Sequence, residues 1–257
     1  MGINWNRFKV FRVFLPALFL FVSGCAVKNP NIVLNWYVIG NDSEVVREKL
    51  RQGAKVDGEK GDKVTPLMIA AWTGNMDIVK LLIASGADIH RSMPNGVSPI
   101  ILAAGKNNVQ VVEYLLSKGA KPDLAPANQL NAVQVCEMLE YQELGRLFAA
   151  HGYAVKPYAP GSARTTDEIL SIIRINSIQF KIIYDQYLKE KPGFRGKVVL
   201  KIGVGPDGAV KQTKIVSSTT EYQAFEEALM AEISNWKFGR IIGKDNDVVT
   251  IPFTFDE

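Results

Sequence analysis

Gly53, Gly86, Gly119 and Gly152 stand 33 residues apart, and the dipeptide Thr65-Pro66 returns at the same interval as Ser98-Pro99. A fixed period of this length describes supersecondary units that cannot bury their apolar faces alone and must stack on one another. Residues 32–153 therefore predict a helical solenoid that works through a surface rather than a catalytic pocket.

The clearest unit runs from Val64 to Ile89. Thr65 is placed to cap a first helix, and Pro66 suits its first position, where the missing N–H has no partner to lose. Ala70 and Ala71 keep one face thin enough for the next unit to approach. Gly74 fits a left-handed helix end, and Ile78, Val79, Leu81 and Leu82 supply the core of a second helix before Gly86. The next unit keeps Ala103-Ala104, Val111-Val112, Leu115-Leu116 and Gly119-Ala120, with Asn107 in place of the turn glycine, a residue that tolerates the left-handed region.

These positions resemble the ankyrin repeat almost residue by residue, although Met68 and Ile101 stand where that family usually has histidine. The flanking units are degenerate. Glu48 and Lys49 replace Leu81 and Leu82 in the first, and Asn131-Ala132 replaces Thr-Pro in the last, a pattern expected of two full repeats between two polar caps. The resemblance implies protein binding through loop tips and the exposed side of the first helices. Carried onto this chain, those positions include Trp72, Thr73, His90, Arg91, Met93, Asn95, Lys106, Lys121 and Asp123. Trp72 heads them as an aromatic anchor, with packing against a loop or a second domain as its alternative reading.

Arg7, Lys9 and Arg12 precede an apolar run over residues 13–22, the length of a signal-peptide core and about half of what a spanning helix needs. Val22-Ser23-Gly24-Cys25 resembles a bacterial lipobox, which implies removal of residues 1–24, lipidation of Cys25 and a tether over residues 25–31. Ala26 after the cysteine favours an outer-membrane, periplasm-facing location by the same analogy. An uncleaved signal anchor is the alternative. Without those three cations, 27 basic residues face 26 acidic ones, so no basic footprint for nucleic acid remains. Cys136, the other cysteine, lies in an apolar helical stretch and is expected to be a small buried side chain.

Residues 154–163, rich in Pro, Gly and Ala, break the repeat and read as a linker. Residues 164–257 follow a different pattern. Thr165 with Glu168 marks a capping box leading into Ile169, Leu170, Ile172 and Ile173, and a second helical stretch carries Phe180 to Leu188. Val198, Leu200, Ile202 and Val204 alternate as a strand, Pro206-Asp207-Gly208 turns, and residues 209–217 return as its hairpin partner. Phe225, Leu229, Ile233 and Trp236 mark a helix, and Val249 to Phe255 a last strand, for which Pro252 favours an edge position or a bulge. This order, with Gly196-Lys197-Val198, Asp207-Gly208-Ala209-Val210, Ser217-Ser218, Trp236-Lys237-Phe238 and Pro252-Phe253-Thr254-Phe255, resembles the TonB C-terminal superfamily, nearest its AgmX/PglI gliding-motility branch.

The expected fold is thus an all-α ankyrin-repeat solenoid followed by an α+β TonB C-terminal-like domain. The superfamily resemblance implies that a sheet edge over Val249, Thr250 and Ile251 can take up a partner strand. Cysteines often seen on two helices of that branch are replaced near Ile183 and Ala228, which excludes their disulfide. No long Pro-rich spacer of an energy transducer is present.

Gly203 to Gly208 fits the G-x-G-x-x-G spacing, but a strand follows it and Pro206 removes a donor, so a hairpin turn is expected rather than a phosphate cradle. The two histidines, His90 and His151, make no triad evident, and the Glu226-Glu227 pair is expected on a solvated helix face. No cofactor, metal, nucleic-acid or small-molecule partner is expected. The combined reading is a non-enzymatic envelope lipoprotein that scaffolds proteins, with two alternatives: an accessory of a TonB-type transport or gliding system, or a regulatory subunit on an envelope enzyme.

Overall fold

The computed structural model describes residues 30–58, 63–242 and 246–255. Residues 1–29, and with them the expected leader, Cys25 and most of the expected tether, lie outside the described residues.

The N-terminal part is a stack of four helix pairs: α1 (Pro30–Ile39) with α2 (Ser43–Arg51), α3 (Pro66–Thr73) with α4 (Met76–Ala84), α5 (Pro99–Gly105) with α6 (Val109–Ser117), and α7 (Ala132–Leu139) with α8 (Gln142–Ala150). The first helices α1, α3, α5 and α7 pack on one another in an inner layer, and the second helices form an outer one. Ala70, Ala71, Ala103 and Ala104 are fully buried where inner helices meet. Their small side chains let neighbouring backbones close together.

Local chemistry sets each turn. The Thr65 hydroxyl accepts from the Met68 N–H at 3.2 Å, and Asp42 and Asn75 cap α2 and α4 in the same way. The left-handed positions carry the period twice over. Gly53, Gly86, Gly119 and Gly152 end the second helices with φ between +83° and +91°, and no atom would meet an added Cβ there, so conformation rather than space demands glycine. Asn41, Gly74, Asn107 and Glu140 end the first helices with φ from +56° to +78°. Asn107 thus replaces the turn glycine with its geometry kept. The Asn108 amide reaches back to the Ala71 and Trp72 carbonyls at 2.8 and 3.1 Å, stitching one unit to the one before.

In the C-terminal part the two expected helical stretches are one helix, α9 (Thr166–Glu190), 25 residues long. No Gly or Pro interrupts residues 166–190, and the capping box at Thr165 and Glu168 is formed from both sides. β1 (Gly196–Val204), β2 (Val210–Ser218) and β3 (Asp247–Phe255) make an antiparallel sheet in the order β2-β1-β3. The β1–β2 hairpin closes through Gly205 N–H to Ala209 O, which answers the G-x-G-x-x-G question in favour of the turn. Pro252 lies on an edge strand, opposite Val199.

α9 and α10 (Gln223–Ile233) pack together beside the sheet, burying Val198, Leu200, Ile202 and Val204 of β1 completely. The core is aromatic. Phe225 stands within 4.8 to 6.0 Å of the rings of Tyr184, Tyr187, Phe194 and Phe255, and the Tyr184 hydroxyl donates to the Phe194 carbonyl at 2.8 Å. Such pairs add about 0.5–1.5 kcal/mol each beyond area burial.

The expected linker is packed rather than free. The Lys156 N–H donates to the Glu137 carboxylate, the Tyr158 hydroxyl donates to Glu168, and Gly161 accepts from the Ile242 N–H. Arg164 is the strongest anchor in this region. Its guanidinium, with no side-chain exposure, donates to Gly239 O, Gly205 O and Asp247 Oδ2 at 2.6, 2.5 and 2.6 Å. It thereby ties the linker, the hairpin turn and the start of β3 together. Nor is the glutamate pair simply solvated: Glu226 accepts from the Ser218 and Thr220 hydroxyls, joining α10 to the end of β2, while Glu227 is exposed.

Candidate functional site: array surface and interdomain junction

Two regions compete for the functional reading, the loop side of the array and the seam where α9 meets its inner helices. The seam is close-packed. A Cβ on Gly105, at the end of α5, would lie 2.7 Å from Ile175 Cγ2 of α9, so only glycine allows this approach. Leu130 N–H donates to Ser171 Oγ at 3.0 Å, Arg174 reaches the Asn128 carbonyl, and Lys106 Nζ donates to Asn176 Oδ1 at 2.8 Å. On the other side Lys237 Nζ approaches Leu139 O at 3.3 Å, and Arg240 meets both oxygens of Glu140 at 2.9 Å. The C-terminal domain therefore occupies the inner-helix face over α5 and α7, part of the surface from which binding was expected.

This placement sorts the expected contact residues. Trp72 is half-buried against the core, its indole N–H is buried without an acceptor among the described residues, and Lys106 Nζ sits 4.5 Å above its ring. Packing, its alternative reading, describes Trp72 better than an exposed anchor. Met93 is buried at 6% exposure, which removes it from the surface, because its N–H and carbonyl close the loop onto Val97 and Gly96. Asn95 turns its side chain to the Val97 N–H, and half-buried Arg91 donates to the Asp57 carbonyl. Thr73, His90, Lys121 and Asp123 are exposed. Leu124, beside Asp123, is 58% exposed, an apolar loop residue that sequence periodicity gave no reason to select.

At the edge strand, Thr250 is exposed, Val249 half-buried and Ile251 buried, so alternation leaves only Thr250 of the three presenting its side chain to solvent. Exposed Val248 and Ile242 flank the same end of β3.

Electrostatics concentrate at the seam. Burial lowers the pKa of Lys106 while the Glu232 charge opposes that shift, and burial raises the pKa of Glu232 with Lys106 opposing it. The Trp236 indole N–H faces the Glu232 neighbourhood but has no acceptor in hydrogen-bonding geometry. Elsewhere, Cys136 is 1% exposed, its Sγ donates to Tyr141 O at 3.3 Å, and burial followed by the Glu137 charge pushes its thiol up to about 12. It is a protonated core thiol at neutral pH. The His151 ring contacts Leu147 O within its own helix terminus. Among the described residues there is no cluster of three or more His, Cys, Asp or Glu able to hold a metal, and no helix long and apolar enough to cross a membrane.

Helix pairs repeating every 33 residues with left-handed turns define a helical repeat array. Residues 25–126 match the family described as ankyrin repeats, in three copies, and the N-terminal part of the chain is an ankyrin-repeat region. The matched segment includes the first, polar unit. The fourth pair, α7 with α8, continues the geometry beyond the matched segment. A comparison with curated proteins returned no match.

Proposed function

We propose that this protein is a non-enzymatic scaffold of the bacterial envelope, lipid-anchored at Cys25, that holds a protein partner on the loop side of its ankyrin array. The observation that carries this reading is the division of the array surface: α9 covers the inner face over α5 and α7, while His90, Lys121, Asp123 and Leu124 stay exposed. An exposed leucine flanked by charge on ordered loops is suited to a small apolar contact with a polar rim. The C-terminal domain, read as TonB-like from its motifs, acts here first as the platform that fixes the last two repeats. A second reading, an accessory of a transport or gliding assembly, is supported by the edge position of β3 with Val248 exposed beside it.

The test captures partners from membranes with the intact chain and with Leu124→Glu, Asp123→Lys and Thr250→Pro. Loss of a stoichiometric partner with the first two and its retention with the third supports the array-loop reading. The reverse pattern selects the strand-edge reading, and retention in all three rejects both. Cys25→Ser should move the protein from the detergent phase to the aqueous phase, and a variant that stays in the detergent phase would sink the lipid anchor.

A further inference from the structure

The sheet of the C-terminal domain buries one face against α9 and α10 and leaves the other open. Register and alternation put Lys197 and Lys201 of β1 and Lys214 of β2 on the open face, all three exposed. The strand residues of that face include no Asp or Glu, and none of the three lysines has an ion pair among the described residues. Acids at the strand ends are engaged elsewhere: Asp207 pairs with Lys211 at the hairpin turn, and Asp247 with buried Arg164. Asp256 and Glu257 follow Phe255, the partner of Gly196, and lie outside the described residues, so Lys201 and Lys214, farther along the sheet, carry the argument. In a chain with 30 basic and 26 acidic residues, a face of one sign is a matter of placement.

Folding does not ask for this pattern. Lys201 stands directly across from Lys214, a placement in which Cβ atoms are about 4.5–5.5 Å apart and like charges repel. A lysine on an edge strand guards against wrong pairing, which accounts for Lys214 on β2. Lys197 and Lys201 lie on the central strand, which has no free edge to guard. Exposed aliphatic side chains accompany them: Val248, across from Gly203 on the same face, and Val216, the extra residue of the bulge beside Val199. Cations and valines on one surface match the boundary of a bilayer, where phosphates take the ammonium groups and the outer acyl region takes the apolar ones. An acidic protein would answer the charge alone.

We propose that the open face of the C-terminal sheet docks on an anionic phospholipid bilayer, with Lys197, Lys201 and Lys214 against headgroup phosphates and Val216 and Val248 at the acyl boundary. Its warrant is the charge and exposure of the sheet, not the anchor at Cys25, so the two fail separately: phase partition reads the anchor, and lysine reactivity reads the face. Each lysine at an anionic surface strengthens the contact by about fivefold, so the three act usefully only together.

The test mixes the full chain with phosphatidylcholine vesicles, with or without phosphatidylglycerol, and follows lysine acetylation by a water-soluble ester, residue by residue, by mass spectrometry. Lys197, Lys201 and Lys214 should react about fivefold or more slowly on the anionic vesicles, without change on the neutral ones, and high salt should remove the difference. Exposed Lys80 on α4 should react at one rate throughout. Lys201→Gln with Lys214→Gln removes the repelling pair, so its urea midpoint should hold or rise while the remaining Lys197 loses its protection. Lys201→Arg with Lys214→Arg should keep it. No slowing on anionic vesicles, equal slowing on neutral ones or at Lys80, slowing that survives high salt, or unchanged protection of Lys197 in the glutamine variant would overturn the proposal. So would poly-glutamate that slows the three lysines as much as the vesicles do, which would assign the face to an acidic protein.

Discussion

Replacing Arg164 with leucine keeps a buried side chain and removes three hydrogen bonds, so the cost follows from what each acceptor has left. Gly239 O loses its donor in a buried place, at about 2 kcal/mol for an unsatisfied carbonyl. Gly205 O still accepts from the Gly208 N–H at 2.9 Å, so its loss amounts to about 1 kcal/mol or less. Asp247, 25% exposed, keeps some water and loses roughly 1 kcal/mol of pairing. The total is about 3–4 kcal/mol, within the range for breaking one side of a buried pair. With an m-value of about 1.5 kcal/mol per molar urea, the midpoint for the C-terminal domain should fall by about 2 M. Urea unfolding by circular dichroism, with hydrogen exchange across the β1–β3 ladder, measures it. Asp247→Asn retains an acceptor and should shift the midpoint by about 0.7 M or less, for a cost near 1 kcal/mol. A drop below about 0.5 M in Arg164→Leu, or equal drops in both variants, would refute the assignment of the cost to the two carbonyls.

Other consequences can be measured on the same material. Cys136 should resist iodoacetamide at neutral pH until the chain is unfolded in urea, because its thiol is buried and pushed up to about 12; rapid labelling of the folded protein contradicts this. In the continuous β1–β3 register Pro252 has no N–H to give, so Thr250, of the same parity, should direct its N–H outward: Thr250→Pro should preserve the fold, while Val249→Pro should cost about 3 kcal/mol or more in urea unfolding. Glu232 has a raised folded pKa, so the folded state keeps a proton that the unfolded state has released; stability at this site is highest below about 4.5 and declines as pH rises through the folded value. Relative to wild type, Glu232→Gln should gain stability on crossing that window, and a parallel pH profile for the two proteins would count against it. Gly105→Leu should push Ile175 aside and separate α5 from α9, seen as faster proteolysis at residues 154–163 with the array's own helices intact.

What the sequence disclosed and what it hid divide along the distance over which the signal acts. The 33-residue period is local chemistry repeated, and each part of it, from the Thr65 cap to the left-handed Gly74 and Asn107, is settled within a few residues of chain. The hairpin and the edge strand were legible for the same reason, because Pro206-Asp207-Gly208 and Pro252 restrict their own backbone. The sequence separates a helical stretch ending at Ile173 from one carrying Phe180 to Leu188, and the residues between them are where the continuous α9 changes partner: Ile175 and Asn176 meet the array while Phe180 and Tyr184 meet Trp236 and Phe255. A helix serving two domains in succession shows a broken stripe with no break in its backbone. Glu140 makes the same point from the other side. A glutamate holds φ +57° at the turn position of the last unit, and its pairing with Arg240, 100 residues away, makes that turn residue part of the domain seam. The seam could not be read from the chain because every signal in it pairs one residue of the array with one far downstream. For that reason the array's free surface is smaller than its repeat count implies, and Leu124 rather than Trp72 is the residue at which partner binding should be probed.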